Sequence, residues 1–167
     1  MAPSYRVIPD MRLLSSLIAV AVLVVPAVTF AGTPDPVVKA HLDALEYQYE
    51  LTDQGDYKVV FKYEDERTQL VFIGSAVETY GEHHVREVWA PAYKSAQGAL
   101  PPDVANRLLE SSSDLKLGAW TKADAYAVFV VKLPADATRD ALDDALEVAG
   151  TTADNMESEL TPGKDEF

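Results

Sequence analysis

The sequence predicts an α+β domain in which an antiparallel, five-stranded sheet is flanked by helices. Three observations support this prediction. Apolar segments of strand type follow one another with only short turns between them, which is typical of antiparallel strands. Apolar residues recur at helical spacing before, between and after these segments. The predicted order is α-β-β-β-α-β-β-α.

The first helix is predicted to run from about Pro36 to Tyr49. It follows the linker GTPDP, in which Asp35 can cap a helix that Pro36 opens, because proline needs no amide partner at the first helical position. Its apolar residues are separated by four, three and four positions, and they are Val38, Leu42, Leu45 and Tyr49.

The next three predicted elements are strands that form a meander. In DYKVVFKYED, apolar side chains from Tyr57 to Tyr63 alternate with Lys58 and Lys62, which is typical of a half-buried strand. The segment QLVFIG, Gln69 to Gly74, is apolar on both faces, which favours a central strand. The third strand is predicted within HHVREVWA, His83 to Ala90.

A second helix is predicted to begin at Pro101 and Pro102 and to end in the serine cluster Ser111 to Ser113. Its apolar face contains Val104 and Leu108, with Leu109 as a further candidate. The segment LKLGAWTK, Leu115 to Lys122, predicts the fourth strand.

The fifth strand is predicted in VFVVKL, Val128 to Leu133, which is rich in β-branched residues. Thr138 is the expected cap of the last helix. The apolar stripe of this helix runs from Leu142 to Leu160, and Gly150 weakens its middle.

The N-terminal residues have the pattern of an export signal. A short basic start is followed by an uncharged apolar run, Leu13 to Val25, and by small residues that end at Ala31. A spanning helix needs about 20 apolar residues, so a cleaved signal is favoured over an uncleaved anchor. We therefore predict a signal peptide in residues 1–31, with Met11 as an alternative start. Residues 32–167 form the predicted single domain, periplasmic or secreted, with a short polar C-terminal tail.

The charge of the predicted mature chain disfavours two classes of partner. Removing residues 1–31 takes away Arg6, Arg12 and Asp10, which leaves 12 Lys and Arg against 26 Asp and Glu, a net charge of −14. This charge disfavours nucleic acid and anionic membrane surfaces. The chain has no cysteine, which excludes disulfides, thiolate nucleophiles and a lipid-modified cysteine. We expect no nucleic-acid partner and no stable membrane anchor after cleavage.

The segment GEHHVREVW holds two of the three histidines of the chain. In a strand His83 and His84 point to opposite faces, so they cannot both ligate one metal ion. Zinc needs about three protein ligands, and HHxxE also lacks the H-x-x-x-H spacing of a helical site. His41 could join them only through the fold. The sequence therefore predicts no metal and no cofactor. The alternative is a metal-binding protein or metal-dependent enzyme that uses His83 or His84 with nearby carboxylates.

Other catalytic patterns are incomplete. The segment IGSAV, Ile73 to Val77, lacks the second glycine of a nucleophile elbow. The segment PGKD, Pro162 to Asp165, lacks the upstream glycine and the Ser or Thr of a phosphate-binding loop. We therefore predict no catalytic residues and a protein that is not an enzyme.

Trp120 is the strongest candidate for partner contact. It lies in the predicted fourth strand between Lys116 and Lys122, with which it shares a face. An aromatic side chain between cations on an exposed sheet face suits contact with a protein partner. The alternative is that the last helix covers Trp120. The stripe of the last helix could also form a seam between two chains, so a homodimer stands beside an unknown protein partner.

Two segments suggest a family. The sequence REVWAPAYKSAQGALPPDVANRLLESSSDLKLGAWTK and, after it, AVFVVKLPADATRDALDDALEVAGTTADNMESEL resemble the YbjN-like family of bacterial sensory-transduction regulators. That family is similar to the type III secretion chaperone fold. The resemblance covers most of residues 36–160 and rests on element order and a diffuse pattern. It implies a protein-binding or regulatory role without chemistry and assigns no site residue. The predicted export signal departs from the cytoplasmic location expected of many such proteins.

Overall fold

The computed structural model describes residues 32–63 and 66–167, so the predicted signal peptide, residues 1–31, lies outside the described residues. Within those ranges the chain has three helices and seven strands. The helices are α1 (Pro36–Ala44), α2 (Pro102–Asp114) and α3 (Arg139–Leu160). The strands are β1 (Tyr49–Leu51), β2 (Tyr57–Lys62), β3 (Thr68–Ile73), β4 (Glu78–Tyr80), β5 (His83–Lys94), β6 (Ala119–Ala123) and β7 (Tyr126–Pro134).

The strands form one antiparallel sheet, which confirms the predicted α+β class. In the described chain the sheet order is β1-β2-β3-β5-β7-β6, and β4 pairs with β5 beside that path. The prediction of five strands is wrong, because β1 and β4 add two more. Each of these strands has three residues, too few for a pattern of alternation to identify it. They exist because β2 and β5 supply the partner backbone.

The first helix ends earlier than predicted. Glu46 has a φ of 62°, and the N–H of Tyr47 donates to the carbonyl of Leu42 at 3.0 Å. A left-handed residue followed by this hydrogen bond is a common helix C-terminus. The chain therefore turns away after Ala44, and Tyr49 lies in β1, where it pairs with Val59 of β2 instead of extending the helix.

All three helices of the described chain pack on one face of the sheet, because their buried residues belong to the same core cluster as the strand residues. Val38 and Leu42 come from α1, and the stripe of α3 is buried as predicted. The strand residues in this cluster follow the register across the sheet: Val59 lies opposite Val71, Val88 opposite Val131 and Phe129 opposite Trp120. The opposite face has no described helix against it.

Gly118 sets the start of β6. The prediction began this strand at Leu115, whereas the pairing begins at Ala119. Gly118 has a φ of 80°, a conformation that glycine adopts without steric cost. A Cβ atom here would lie 2.6 Å from the ring of Phe129 and 2.8 Å from the carbonyl oxygen of Val130. The glycine therefore lets the chain pass directly against the middle of β7, at Phe129 and Val130.

The last helix is continuous through Gly150, and Thr138 caps it as predicted by accepting from the N–H of Ala141. A Cβ atom on Gly150 would lie 3.0 Å from the Tyr63 hydroxyl and 3.4 Å from Phe61 Cγ. Gly150 lowers the helix propensity of α3, but its lack of a side chain allows β2 to approach the helix closely. Among the described residues, no helix is both long and apolar enough to cross a membrane.

The polar tail that follows α3 is held against the fold by a charged cluster. The Arg67 guanidinium donates to Asp154 Oδ1 at 2.7 Å and to the carbonyl of Lys164 at 2.7 Å. Glu157 is fully buried, and its Oε1 accepts from the N–H of Glu166 at 2.6 Å. The tail therefore closes over one end of the core beside β3.

The buried Glu157 carboxyl should make stability depend on pH. Burial raises the pKa of Glu157, although the N–H of Glu166 and the charge of Arg67 oppose the increase. The folded protein then holds this proton more tightly than the unfolded chain, so the free energy of unfolding falls as the pH rises above 4.5. We expect Glu157→Gln to lose less stability than the wild type between about pH 4 and about pH 7. Urea denaturation across that range would measure it, and parallel pH curves for the two proteins would contradict it.

Candidate partner-binding face

The candidate site lies on the sheet face opposite the helices. Side chains alternate along a strand, so the residues between the core positions of β2, β3, β5 and β7 share this second face. Residues that lie opposite each other in the register, such as Val60 and Leu70, are on the same face of the sheet. We name this surface the open sheet face. Its residues include Glu50, Lys58, Val60, Lys62, Thr68, Leu70, Phe72, Glu78, Tyr80, His83, Val85, Glu87, Trp89, Pro91, Lys94, Tyr126, Val128, Val130, Lys132 and Pro134.

An apolar row crosses the middle of the open sheet face. Phe72 lies opposite Trp89, and their rings stack with centroids 5.6 Å apart and planes 11° apart. Trp89 lies opposite Val130 on its other side. Leu70 lies opposite Val60, which is 42% exposed. A contiguous apolar surface that includes aromatic rings is typical of a contact site for another molecule.

Lysines border this row. Lys58 Nζ lies 2.6 Å from a carboxylate oxygen of Glu50, and Lys132 Nζ lies 2.9 Å from Glu87. The hydrogen bond with Glu87 raises the pKa of Lys132. Lys62 is exposed at the end of β2. Because Glu50 and Glu87 are exposed to water, these ion pairs contribute little to stability. The lysines are accordingly available to a partner.

Trp120 lies on the helix side of the sheet and not on the open sheet face. It is 7% exposed, packs edge-on against Phe129 with centroids 5.3 Å apart, and donates from Nε1 to Ser111 Oγ at 3.3 Å. Ser111 belongs to α2, so α2 covers the ring. The alternative predicted from the sequence was that the last helix covers it. Lys116 and Lys122 are exposed, but Lys116 precedes β6, so only Lys122 shares a strand face with Trp120. Partner contact at these three residues stays a prediction, with the two lysines as its accessible part.

The three histidines of the chain line one cleft of about 980 Å³ between α1, the start of β5 and the loop from β7 to α3. His83 and His84 are exposed neighbours on β5, and His84 Nδ1 lies 3.2 Å from Thr79 Oγ1. His41 reaches the cleft from α1, which the spacing in the sequence did not indicate. In the part of the chain that the structure describes, no group of three His, Asp or Glu side chains could hold a metal ion. The metal hypothesis thus has no ligand set there.

A buried ion pair forms one wall of this cleft. Arg86 is 4% exposed, and it donates to Asp35 Oδ2 at 2.6 Å and to the carbonyl of Gly74 at 2.5 Å. Asp35 also caps α1, as predicted, by accepting from the N–H of Val37 at 2.7 Å. Burial acts to raise the pKa of Asp35, but the Arg86 hydrogen bond and the amides of α1 bring it below its ordinary value. The pair joins the N-terminus of α1 to β5 and to the backbone that follows β3.

The sequence pattern did not identify the open sheet face, although it contained a signal. The apolar character of Gln69 to Gly74 on both faces predicts a central strand, and β3 is central. The same pattern places Leu70 and Phe72 on a face that needs a covering layer. In the described chain no helix supplies it, because all the helices share the other side. Only the tertiary structure shows which face of the sheet the helices cover.

The fold and the site together define a class of protein. It is an α+β domain with helices on one face of an antiparallel sheet and, on the other face, an apolar surface bordered by lysines. No protein-family model matches this chain, and no curated protein matches it.

Proposed function

We propose that this protein is a non-catalytic binding or regulatory module that contacts a protein partner through the open sheet face. The observation that carries the proposal is the row of Phe72, Trp89 and Val130, which lies half-buried on a face without a described helix. Covering such a row removes apolar surface from water, which contributes about 25 cal/mol for each Å² buried. A partner is therefore expected to gain most of its binding energy here.

Two further points support the same class of role. Residues 86–122 and 127–160 resemble the YbjN-like family, whose members are taken to act by contact. The export pattern of residues 1–31 favours a periplasmic or secreted location for the protein and its partner. Together they suggest an exported regulator whose partner is an envelope or secreted protein, with a homodimer as the alternative arrangement.

A charge placed on the open sheet face, beside the apolar row, should strongly reduce partner capture. We expect Val60→Asp to reduce recovery of a stoichiometric partner at least roughly tenfold, because a carboxylate would have to be desolvated in the interface. The measurement is affinity capture from the soluble envelope fraction of its own cell, read by mass spectrometry. Since Val60 is 42% exposed, the fold should tolerate the change.

Leu109→Asp is the matched control. Leu109 is 67% exposed on α2, on the helix side of the sheet, so this variant should capture the partner like the wild type. Thermal unfolding of both variants checks that each is folded. Equal capture by the two variants, or a blank for the wild type even with crosslinking, would argue against the open sheet face as the contact site.

A further inference from the structure

We infer that the C-terminal tail, residues 161–167, competes with a protein partner for the open sheet face, so that the partner must displace the tail to bind. This inference rests on the proposed function and adds the regulation of the same face to it. It comes from the contacts of the tail with the sheet, from the burial of strand residues near it, and from the area that a protein interface needs.

A tight turn sends the tail back from the end of α3 toward the sheet. The N–H of Lys164 donates to the carbonyl of Thr161 at 3.0 Å, and Gly163, the third residue of the turn, has a φ of 77°. Proline followed by a glycine of positive φ is typical of a type II turn. The segment PGKD, which is incomplete as a phosphate-binding loop, therefore serves to reverse the chain.

The tail joins the helix side of the sheet to the open sheet face. On the helix side, the N–H of Glu166 donates to the buried Glu157 of α3 at 2.6 Å. On the other side, Asp165 accepts from the N–H of Thr68 at 3.2 Å and from its hydroxyl at 3.1 Å. Thr68 begins β3 and belongs to the open sheet face. The tail is therefore fixed at the end of the sheet where the two sides meet.

Phe167 lies on the open sheet face itself. Its ring packs edge-on against Tyr126 of β7, with centroids 6.3 Å apart. Phe167 is half-buried, whereas the five residues before it are exposed. Tyr126 raises the pKa of Lys94 through a hydrogen bond, and the charge of Glu166 adds to the increase. The aromatic side chain of the tail thus occupies a position at which an aromatic anchor of a partner could bind.

The strand next to the tail is more deeply buried on this face than it is further along. Val128 lies two residues from Tyr126 on the same face of β7 and is 7% exposed. Val130, two residues beyond it, is only half-buried. The apolar surface of β7 is therefore least accessible at the end where Phe167 lies.

A partner that binds stably to the apolar row must reach the tail. A stable interface buries about 800 Å² on each protein, and a circular patch of that area has a radius of about 16 Å. Thr68 lies four residues from Phe72 along β3, a distance of about 14 Å. Tyr126 lies equally far from Val130 along β7. A patch centred on the apolar row thus includes the residues that the tail contacts.

Releasing the tail is more favourable for a partner than covering it. Asp165 and Glu166 add two carboxylates to this face, so that five carboxylates stand against four lysines. Burying carboxylates in an interface without new cations to pair with them is costly. The hydrogen bonds from Thr68 are exposed to water, so each contributes little to holding the tail in place. The tail is therefore held weakly enough for a partner to displace it.

A reversible disulfide tests the inference on the full-length chain. The chain has no cysteine, so the double variant Thr68→Cys, Asp165→Cys contains the only two thiols. The two native side chains are in contact, with oxygens 3.1 Å apart, so oxidation should fix the tail on the sheet and reduction should release it. Affinity capture from the soluble envelope fraction measures the effect, and thiol titration reports the redox state. We expect the oxidised form to capture at least about tenfold less partner than the reduced form, because only the open form binds.

Loss of the tail contacts should have the opposite effect. We expect the double variant Asp165→Ala, Phe167→Ala to capture at least about threefold more partner than the wild type, since a larger fraction of the protein is open. Leu109→Ala is the matched control, because Leu109 is 67% exposed on α2 and should leave capture unchanged. Thermal unfolding checks that both variants are folded.

The dye 8-anilinonaphthalene-1-sulfonate, which binds exposed apolar surface, gives a measurement that needs no partner. We expect its fluorescence to be at least about twofold higher with the reduced cysteine variant than with the oxidised one, and Val60→Asp in the reduced variant to lower it. Equal fluorescence, or equal capture, by the oxidised and reduced forms would overturn the inference. Weaker capture by the Asp165→Ala, Phe167→Ala variant than by the wild type would also overturn it, since the tail would then be part of the contact.

The outcomes separate this inference from the proposed function. If Val60→Asp reduces capture while the disulfide has no effect, partner contact at the open sheet face stands and competition by the tail does not. If the dye responds to the disulfide but no form captures a protein even with crosslinking, the tail covers the face, whereas the proposed partner and the competition with it are both refuted.

Discussion

Replacement of Arg86 by methionine is expected to destabilise the fold by about 3 kcal/mol, because removing one partner leaves a largely buried charge uncompensated. In the native protein the guanidinium donates to Asp35 and to the carbonyl of Gly74, and the Arg86 side chain is 5% exposed. Methionine fills a similar volume but donates no hydrogen bonds. Loss of these hydrogen bonds would release the N-terminus of α1 from β5. Urea denaturation at neutral pH measures the free energy of unfolding.

Arg139→Met provides the matched control for this ion pair. Arg139 and Asp140 form an exposed pair, 51% and 81% accessible, so we expect a loss below about 1 kcal/mol. The pH dependence gives a second test. Since the pKa of Asp35 is lower in the folded protein, its stabilising effect is present above 3.8 and is lost as the pH falls through the folded value. Arg86→Met should weaken that dependence, and equal losses in the two methionine variants would show that the buried pair is unimportant.

Substitution of Gly118 by alanine is expected to cost about 3 kcal/mol through two separate effects. An alanine at a φ of 80° is disfavoured by about 1 kcal/mol. The added methyl group would also lie 2.6 Å from the Phe129 ring and 2.8 Å from the Val130 carbonyl, so β6 would have to move away from β7. Overpacking of this kind costs about 1–3 kcal/mol. Thermal and urea unfolding would measure the sum.

Gly98→Ala separates the two effects. Gly98 has a φ of 76°, but a Cβ atom there would meet nothing within 4 Å. We expect this variant to lose only the backbone contribution of about 1 kcal/mol. The difference between the two variants then measures the steric contact with Phe129. If Gly118→Ala were no more costly than Gly98→Ala, the close approach of Gly118 to β7 would be refuted.

Much of the local structure could be predicted because its causes are local. Asp35 and Pro36 begin α1, and Thr138 begins α3, since capping needs only neighbouring side chains and amides. The alternation in Tyr57 to Tyr63 identifies β2 for the same reason, because side chains two residues apart share a face. The end of α1 could not be predicted, because a glutamate at residue 46 does not reveal a left-handed backbone.

The sequence by itself therefore determined the class of the fold, the caps and most strand faces, all of which depend on short stretches of chain. Only the tertiary structure decided that Trp120 lies under α2, that Arg86 pairs with Asp35 across the sequence, and that His41 joins the other histidines. It also decided that the described helices share one face and leave Phe72 without a covering helix. The physical reason is that alternation shows which side chains lie together, whereas the layer that covers them is set by contacts between distant segments.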